Sequence, residues 1–156
     1  MAEAVKQTAA YLEAAKPDLI IAFLDDHFEN HYRNLMPTFS IGVAPKHAGP
    51  ADYWLEALKI DRKSDIPSDE AMAEFILGRM VWDGFDAARM GSIEYGNNLM
   101  VPLKLIRPQY DIPLIPIFTN VFSPPLTSMA RAYAMGESVR AAVEADRKST
   151  RLNSSH

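Results

Sequence analysis

Asp25, Asp26 and His27 follow directly on the apolar run Ile20-Ile21-Ala22-Phe23-Leu24, and their types and placement could do chemistry. Imidazole is the commonest protein metal ligand and titrates near neutral pH. A carboxylate beside it, here Asp26, can hydrogen-bond the ring or the neighbouring backbone and fix an orientation. The bland readings stay open at this point. A lone histidine after a strand is more often a satisfied structural residue, and Asp26 is equally at home as a solvated cap or turn residue. His31 comes four positions after His27, a spacing that lets two helical histidines share a metal. Glu29 stands where it breaks the H-E-x-x-H order, and Asn30 and Arg33 favour a polar loop over a ligand helix. His47, beside Lys46 and near Gly49, reads as a loop residue.

Composition removes several alternatives. The sequence has 156 residues and no cysteine, which excludes a disulfide framework, a thiolate zinc site and a catalytic thiol. It also agrees with a reducing, cytoplasmic setting. Sixteen basic against twenty acidic side chains leave a net charge of −4, which argues against a nucleic-acid backbone binder. No apolar run approaches the roughly 20 residues that span a bilayer, and the N-terminus lacks a secretion signal, so no membrane association is expected. Walker A, G-x-G-x-x-G and G-x-S-x-G patterns are absent. With 48% apolar residues the chain can build the core of one domain.

The elements that must position these residues follow from pattern. Ala2 to Ala15 reads as a helix with Val5, Ala9, Leu12 and Ala15 on one stripe, stopped by Pro17. The run Asp18 to Leu24 is too short for a helix and reads as a buried parallel strand, which puts Asp25 to His27 at its carboxyl end. Open α/β sheets bind ligands at that edge. Leu35 to Val43 is a second strand region. Ala44 to Pro67 is a punctuated stretch with a short helix near Tyr53 to Leu58. Ser68 looks like an N-cap for a helix to Trp82 that buries Met72, Phe75, Ile76, Met80 and Trp82. A turn at Asp83-Gly84 leads to a short strand within Phe85 to Met90.

Gly96-Asn97-Asn98 reads as a loop, and Met100 to Ile106 as a helix with Pro102 in its first turn. Asp111 to Thr119 is a strand that Pro113 and Pro116 push toward an edge or a bulge. A last helix from Ser128 to Ala145 turns Met129, Ala132, Tyr133, Gly136, Val139 and Val143 inward. Strands alternating with helices predict a three-layer α/β sandwich on a mostly parallel central sheet.

Several ordered segments resemble one family. The stretch Leu19 to His27, then Met36-Pro37-Thr38-Phe39-Ser40-Ile41-Gly42, Val101-Pro102-Leu103, Ile115 to Val121, Pro124-Pro125 and Arg131 to Glu137 is similar to the class III extradiol ring-cleavage dioxygenases. The likeness is to catalytic subunits of the protocatechuate 4,5-dioxygenase β type and covers roughly Pro17 to Ala145. It implies non-haem Fe(II) on two histidines and a glutamate, with a further histidine as acid/base. A 2-His-1-carboxylate face leaves positions open for a catecholate and O₂ side by side.

By that resemblance His27 is the second iron-binding histidine and Asp26 its companion. Asn97 stands on the substrate side, where many members have a histidine. The family's first iron histidine precedes the one at His27, and its glutamate and acid/base histidine follow the last helix. The sequence is therefore expected to be a catalytic domain truncated at both ends, incomplete in its sheet and inactive by itself.

The parent protein would take a catechol-type substrate and O₂, with a small partner subunit or a homo-oligomer left open. A non-catalytic binding or scaffold relative on the same fold is the alternative. An aromatic acid substrate would want a cation, for which Arg33 and Arg107 are candidates beside their ordinary role as solvated surface residues. Residues 146 to 156 are polar and without periodicity. They resemble the translation of a sequencing-library adapter, and are set aside as a non-native tail.

Overall fold

A computed structural model of the chain describes the backbone of residues 2–153 and the side chains of residues 3–146. Helix α1 (Ala2–Ala15) leads into strand β1 (Ile20–Leu24), followed by β2 (Phe39–Gly42) and β3 (Lys46–Gly49). A short 3-10 turn and helix α2 (Leu55–Leu58) precede β4 (Ser64–Pro67) and α3 (Glu70–Trp82). Then come β5 (Ala88–Met90), α4 (Asn97–Ile106), β6 (Leu114–Thr119) and α5 (Met129–Asn153).

Four strands form one sheet in the order β1-β6-β2-β5. Two of its three pairings are parallel, β1 with β6 and β2 with β5, while β2 and β6 run antiparallel. β1 is thus an edge strand among the described elements, half-buried rather than buried as its apolar composition suggests, and Phe23 is exposed.

β6 lies inside the sheet in spite of Pro116 within it and Pro113 just before it. Its pairing with β2 ends at Ile41 opposite Ile117, one residue short of Pro116, so the missing N–H costs no rung there. A side chain at Gly42 has no room, because a Cβ would lie 2.7 Å from Pro116 and 2.9 Å from the His47 ring.

Alternate residues of β6 feed two cores. Ile115 and Ile117 pack with Phe39 and Ile41 against α3 (Ala73, Ile76, Met80) and α5 (Met135, Val139, Ala142). Leu114 and Phe118 pack with Leu99, Met100 and Leu103 of α4, and with Ile66 of β4 and Tyr95. That alternation is the period-2 consequence of a strand covered on both faces.

Several expectations are corrected. Asp69, not Ser68, caps α3, its carboxylate accepting from the Met72 N–H at 2.9 Å. Phe75 and Trp82 are exposed, because α3 is apolar on nearly every side and its stripe does not select a face. On α5 the inward row is Met135, Val139 and Ala142, whereas Met129 and Tyr133 face out. Ala15 is exposed while Val5, Ala9 and Leu12 are half-buried. Asn97 and Asn98 form the first turn of α4 and Pro102 lies inside it.

The stretch from Ala44 to Pro67 contains an antiparallel pair, Lys46–Gly49 with Ser64–Pro67, that its polar composition hides. Helix α5 continues through Asn153, so the backbone of most of the set-aside tail is helical. Its side chains past Asp146, and residues 154–156, lie outside the described residues.

Candidate functional site

The site forms where three chain segments meet at the carboxyl end of β1. The loop after β1 is organised by Asp26, which is 5% exposed. Its carboxylate accepts from the N–H groups of Asn30 at 3.1 Å and His31 at 2.8 Å, and from the Asn30 amide at 2.8 Å. Those donors offset the cost of burying the carboxylate. Asn30 in turn spans to the backbone of Glu94, donating to its carbonyl at 2.9 Å and accepting from its N–H at 2.8 Å. This ties the loop to the segment that opens α4. Phe28 reverses the loop with φ 70, a left-handed conformation uncommon for a side chain of that size.

His27 is held between two helix and loop partners. Its Nε2 lies 2.8 Å from Asp25 Oδ2 and its Nδ1 lies 3.1 Å from Asn97 Oδ1. Burial works against the charged ring. The Asn97 carbonyl, the Asp25 carboxylate and the nearby Glu29 charge outweigh it, and the imidazole pKa is raised. Burial would raise the Asp25 carboxyl, yet the Asn98 amide and His27 bring it below its ordinary value. Asn98 donates to Oδ1 of Asp25 at 3.0 Å and also to its backbone carbonyl. The positive end of the α4 dipole faces these acids.

The other walls are Glu29 and the loop after β6. Glu29 accepts from the His27 N–H at 2.7 Å and the Trp54 indole at 3.1 Å. A Cβ at Gly96 would collide with its carboxylate. Asn120 pins the loop after β6, accepting from the N–H groups of Phe122 at 3.1 Å and Ser123 at 3.0 Å. Phe122 then meets the His27 ring edge-on, with centroids 4.9 Å apart.

The structure therefore brings Asn97 onto His27, and sends Asp26 to the backbone of its own loop rather than to the ring. Asp25 takes the ring position, and sequence reasoning did not assign it that role, although it stood in the same polar triplet. Asn98, Glu29 and Phe122 were also missed, and no local signal marks contacts made between distant segments. His31 does not share a helix with His27. Its Nε2 lies 2.9 Å from Ser40 Oγ, and burial lowers its pKa. His47 is not in a loop but on β3, 1% exposed, with burial pushing its pKa down to about 4.

A three-ligand facial set is not assembled here. Among the described residues no three histidine, cysteine, aspartate or glutamate side chains converge as a metal site. His27 offers one imidazole, and both its nitrogens face protein oxygens. No step through a metal follows from these residues.

An α/β sheet with a histidine cradled at a strand's carboxyl edge defines the class. Within it, residues 1–154 match the family described as the catalytic LigB subunit of aromatic ring-opening dioxygenase, and the chain belongs to that family. It is similar to the 2,3-dihydroxyphenylpropionate/2,3-dihydroxicinnamic acid 1,2-dioxygenase of Rhodococcus globerulus, 31% identical over 139 residues, covering 88% of this chain and 42% of the relative. A second enzyme of that name from Pseudomonas putida is 28% identical over 140 residues, with 89% and 42% covered. One from a Rhodococcus species is 33% identical over 135 residues, with 85% and 40% covered. The chain thus spans about two fifths of the length of these relatives. They are named for a different catechol from the protocatechuate type that the sequence segments resemble.

Proposed function

We propose that the protein to which this chain belongs is an Fe(II)-dependent extradiol dioxygenase that opens a catechol-type ring with O₂ in aromatic compound catabolism. The observation that carries this reading is the placement of His27 at the carboxyl end of β1, between Asp25 and Asn97. His27 would supply one iron ligand, with Asp26 holding its loop and Asn97 on the substrate side. The remaining ligands and the acid/base histidine would come from segments outside this chain. In the whole protein Fe(II), when bound, would supply adjacent open positions for a catecholate and O₂.

The names of the relatives favour a 2,3-dihydroxyphenyl acid as substrate. Cores on both faces of β6 support a three-layer sandwich. No helix among the described residues is long and apolar enough to cross a membrane, and we take the protein to be cytoplasmic. Residues 146 to 156 we still read as non-native, and a partner subunit or homo-oligomer stays part of the proposal.

Oxygen uptake by the whole protein, loaded with Fe(II) and offered a panel of catechols, tests the reading. The wild type should consume O₂ with at least one catechol and His27→Ala should lose that activity. An active His27→Ala enzyme, or a wild type idle on every catechol, would refute it.

A further inference from the structure

Helix α3 is apolar on two opposite sides. Ala73, Ile76, Leu77 and Met80 are buried against the domain. Ala71, Phe75, Gly78 and Trp82 form a second stripe that faces away from it, with Phe75 47% and Trp82 86% exposed. A helix apolar on both sides is normally covered on both. We propose that this outer stripe is the contact surface of a two-fold dimer of the chain, in which the α3 helices of two copies lie side by side and parallel. The proposal does not rest on the ring-cleavage reading.

The stripe advances by four, three and four residues, the spacing of a coiled-coil seam. Phe75 and Trp82 take the a positions, Ala71 and Gly78 the d positions, Glu74 a g position and Arg79 the following e. In a parallel pair, a knob at a enters a hole formed by four residues of the facing helix: its preceding d and g, its a and its next d. For Phe75 these are Ala71, Glu74, Phe75 and Gly78 of the second copy. The surface of α3 carries a concavity lined by those four residues and Arg79. Nothing stands within 4 Å of the position of a Cβ at Gly78, so an incoming ring meets no side chain there.

Charge selects the same partner and the same direction. The register sets Glu74 against Arg79 of the second copy, once on each side of the two-fold axis, as g and e residues meet in parallel pairs. An antiparallel pair would instead bring Glu74 toward Glu74 and Arg79 toward Arg79. Within one chain, Glu74 accepts through Oε2 from Arg89 Nε at 3.1 Å, and Arg79 donates through Nε to Asp83 at 2.8 Å. Among the described residues, these pairs leave the second Glu74 oxygen and the terminal guanidinium nitrogens of Arg79 for the second copy. Thirteen residues make a seam about 20 Å long, and so small an interface is of the transient kind. A Kd of about 100 µM is expected, which leaves the chain monomeric at the low micromolar concentrations of unfolding experiments.

Sedimentation equilibrium of the full chain, at low salt and from micromolar to millimolar concentration, tests the proposal. The wild type should dimerise, and Phe75→Ala should weaken the dimer about tenfold or more. Glu74→Arg and Arg79→Glu should each weaken it about tenfold by setting like charges face to face. An equimolar mixture of those two variants should dimerise about as well as the wild type, because each supplies the charge that the other lacks. The mixture also separates a lost contact from a misfolded variant. Since the chain has no cysteine, Ala71→Cys reports direction. Copper-phenanthroline oxidation should link two copies through that position, which a parallel pair brings together and an antiparallel pair holds well apart. A wild type still monomeric at about 1 mM, which would leave the stripe to another segment or partner, would overturn the proposal. So would a dimer indifferent to Phe75→Ala, a mixture no stronger than its two components, or an Ala71→Cys chain that does not link.

Discussion

The side-chain carbonyl of Asn97 stands 3.1 Å from Nδ1 of His27, across 70 positions of sequence. That contact joins the first turn of α4 to the carboxyl end of β1, and the next residue repeats the join: Asn98 holds Asp25, which holds the other ring nitrogen. The imidazole is therefore oriented by two helix residues and one strand-end acid. Its immediate neighbour Asp26 acts only through the loop.

Asp26 is accordingly a residue of loop stability. Replacing it by alanine leaves the half-buried N–H groups of Asn30 and His31 without their acceptor and removes one anchor of the Asn30 amide that bridges to Glu94. Asp26→Ala should cost about 3 kcal/mol, as hydrogen bonds to a buried charge do. A urea unfolding midpoint close to that of the wild type would contradict the role drawn here.

His47 sets a dependence of stability on pH. Burial drives its pKa from 6.5 to about 4, with Nδ1 accepting the Ile93 N–H at 3.3 Å. In that window the unfolded chain binds a proton that the folded chain refuses. Stability is then fully present above pH 6.5 and falls as the pH drops toward about 4. The whole shift is worth about 3 kcal/mol. Against the wild type, His47→Asn keeps a nearby acceptor without a titrating ring, and its unfolding free energy should fall less steeply with acid. Parallel pH profiles for the two proteins would exclude His47 as the cause.

Two glycines should respond with opposite signs. At Gly42 a methyl group would meet the rigid rings of Pro116 and His47, so Gly42→Ala should destabilise by about 2 kcal/mol. At Gly78, inside α3 and exposed, a methyl group meets nothing within 4 Å, so Gly78→Ala should stabilise by about 1 kcal/mol through helix propensity. Thermal unfolding of the two variants side by side decides both, and a loss of stability at Gly78 would show that α3 is not the regular helix described.

Sequence reading placed elements more securely than faces. The Ala2–Ala15 helix and the β1 run were legible because their period and proline boundaries agree. The inner face of α3 was not legible, since Met72, Phe75, Leu77, Val81 and Trp82 leave no polar side to oppose. The β3–β4 pair escaped because Lys46-His47-Ala48-Gly49 alternates no apolar residues. That omission put buried His47 in a loop. At the site, His27 and Asn97 could be singled out by residue type and resemblance, but their contact could not. Nor could the choice of Asp25 over Asp26, because the direction in which each carboxylate leaves a strand end depends on the turn that follows.

The isolated chain should not turn over a catechol. A metal face that holds Fe(II) and still leaves room for two reactants needs three protein donors, and the described residues bring together one imidazole with its acceptors. A single neutral nitrogen competes poorly with water for a divalent ion, and here each ring nitrogen must first give up an oxygen partner. Fe(II)-dependent O₂ consumption by this chain with any catechol should therefore stay at the level of the His27→Ala variant. Uptake above that level, abolished by His27→Ala, would mean that donors among these residues converge in a way that the present geometry does not contain.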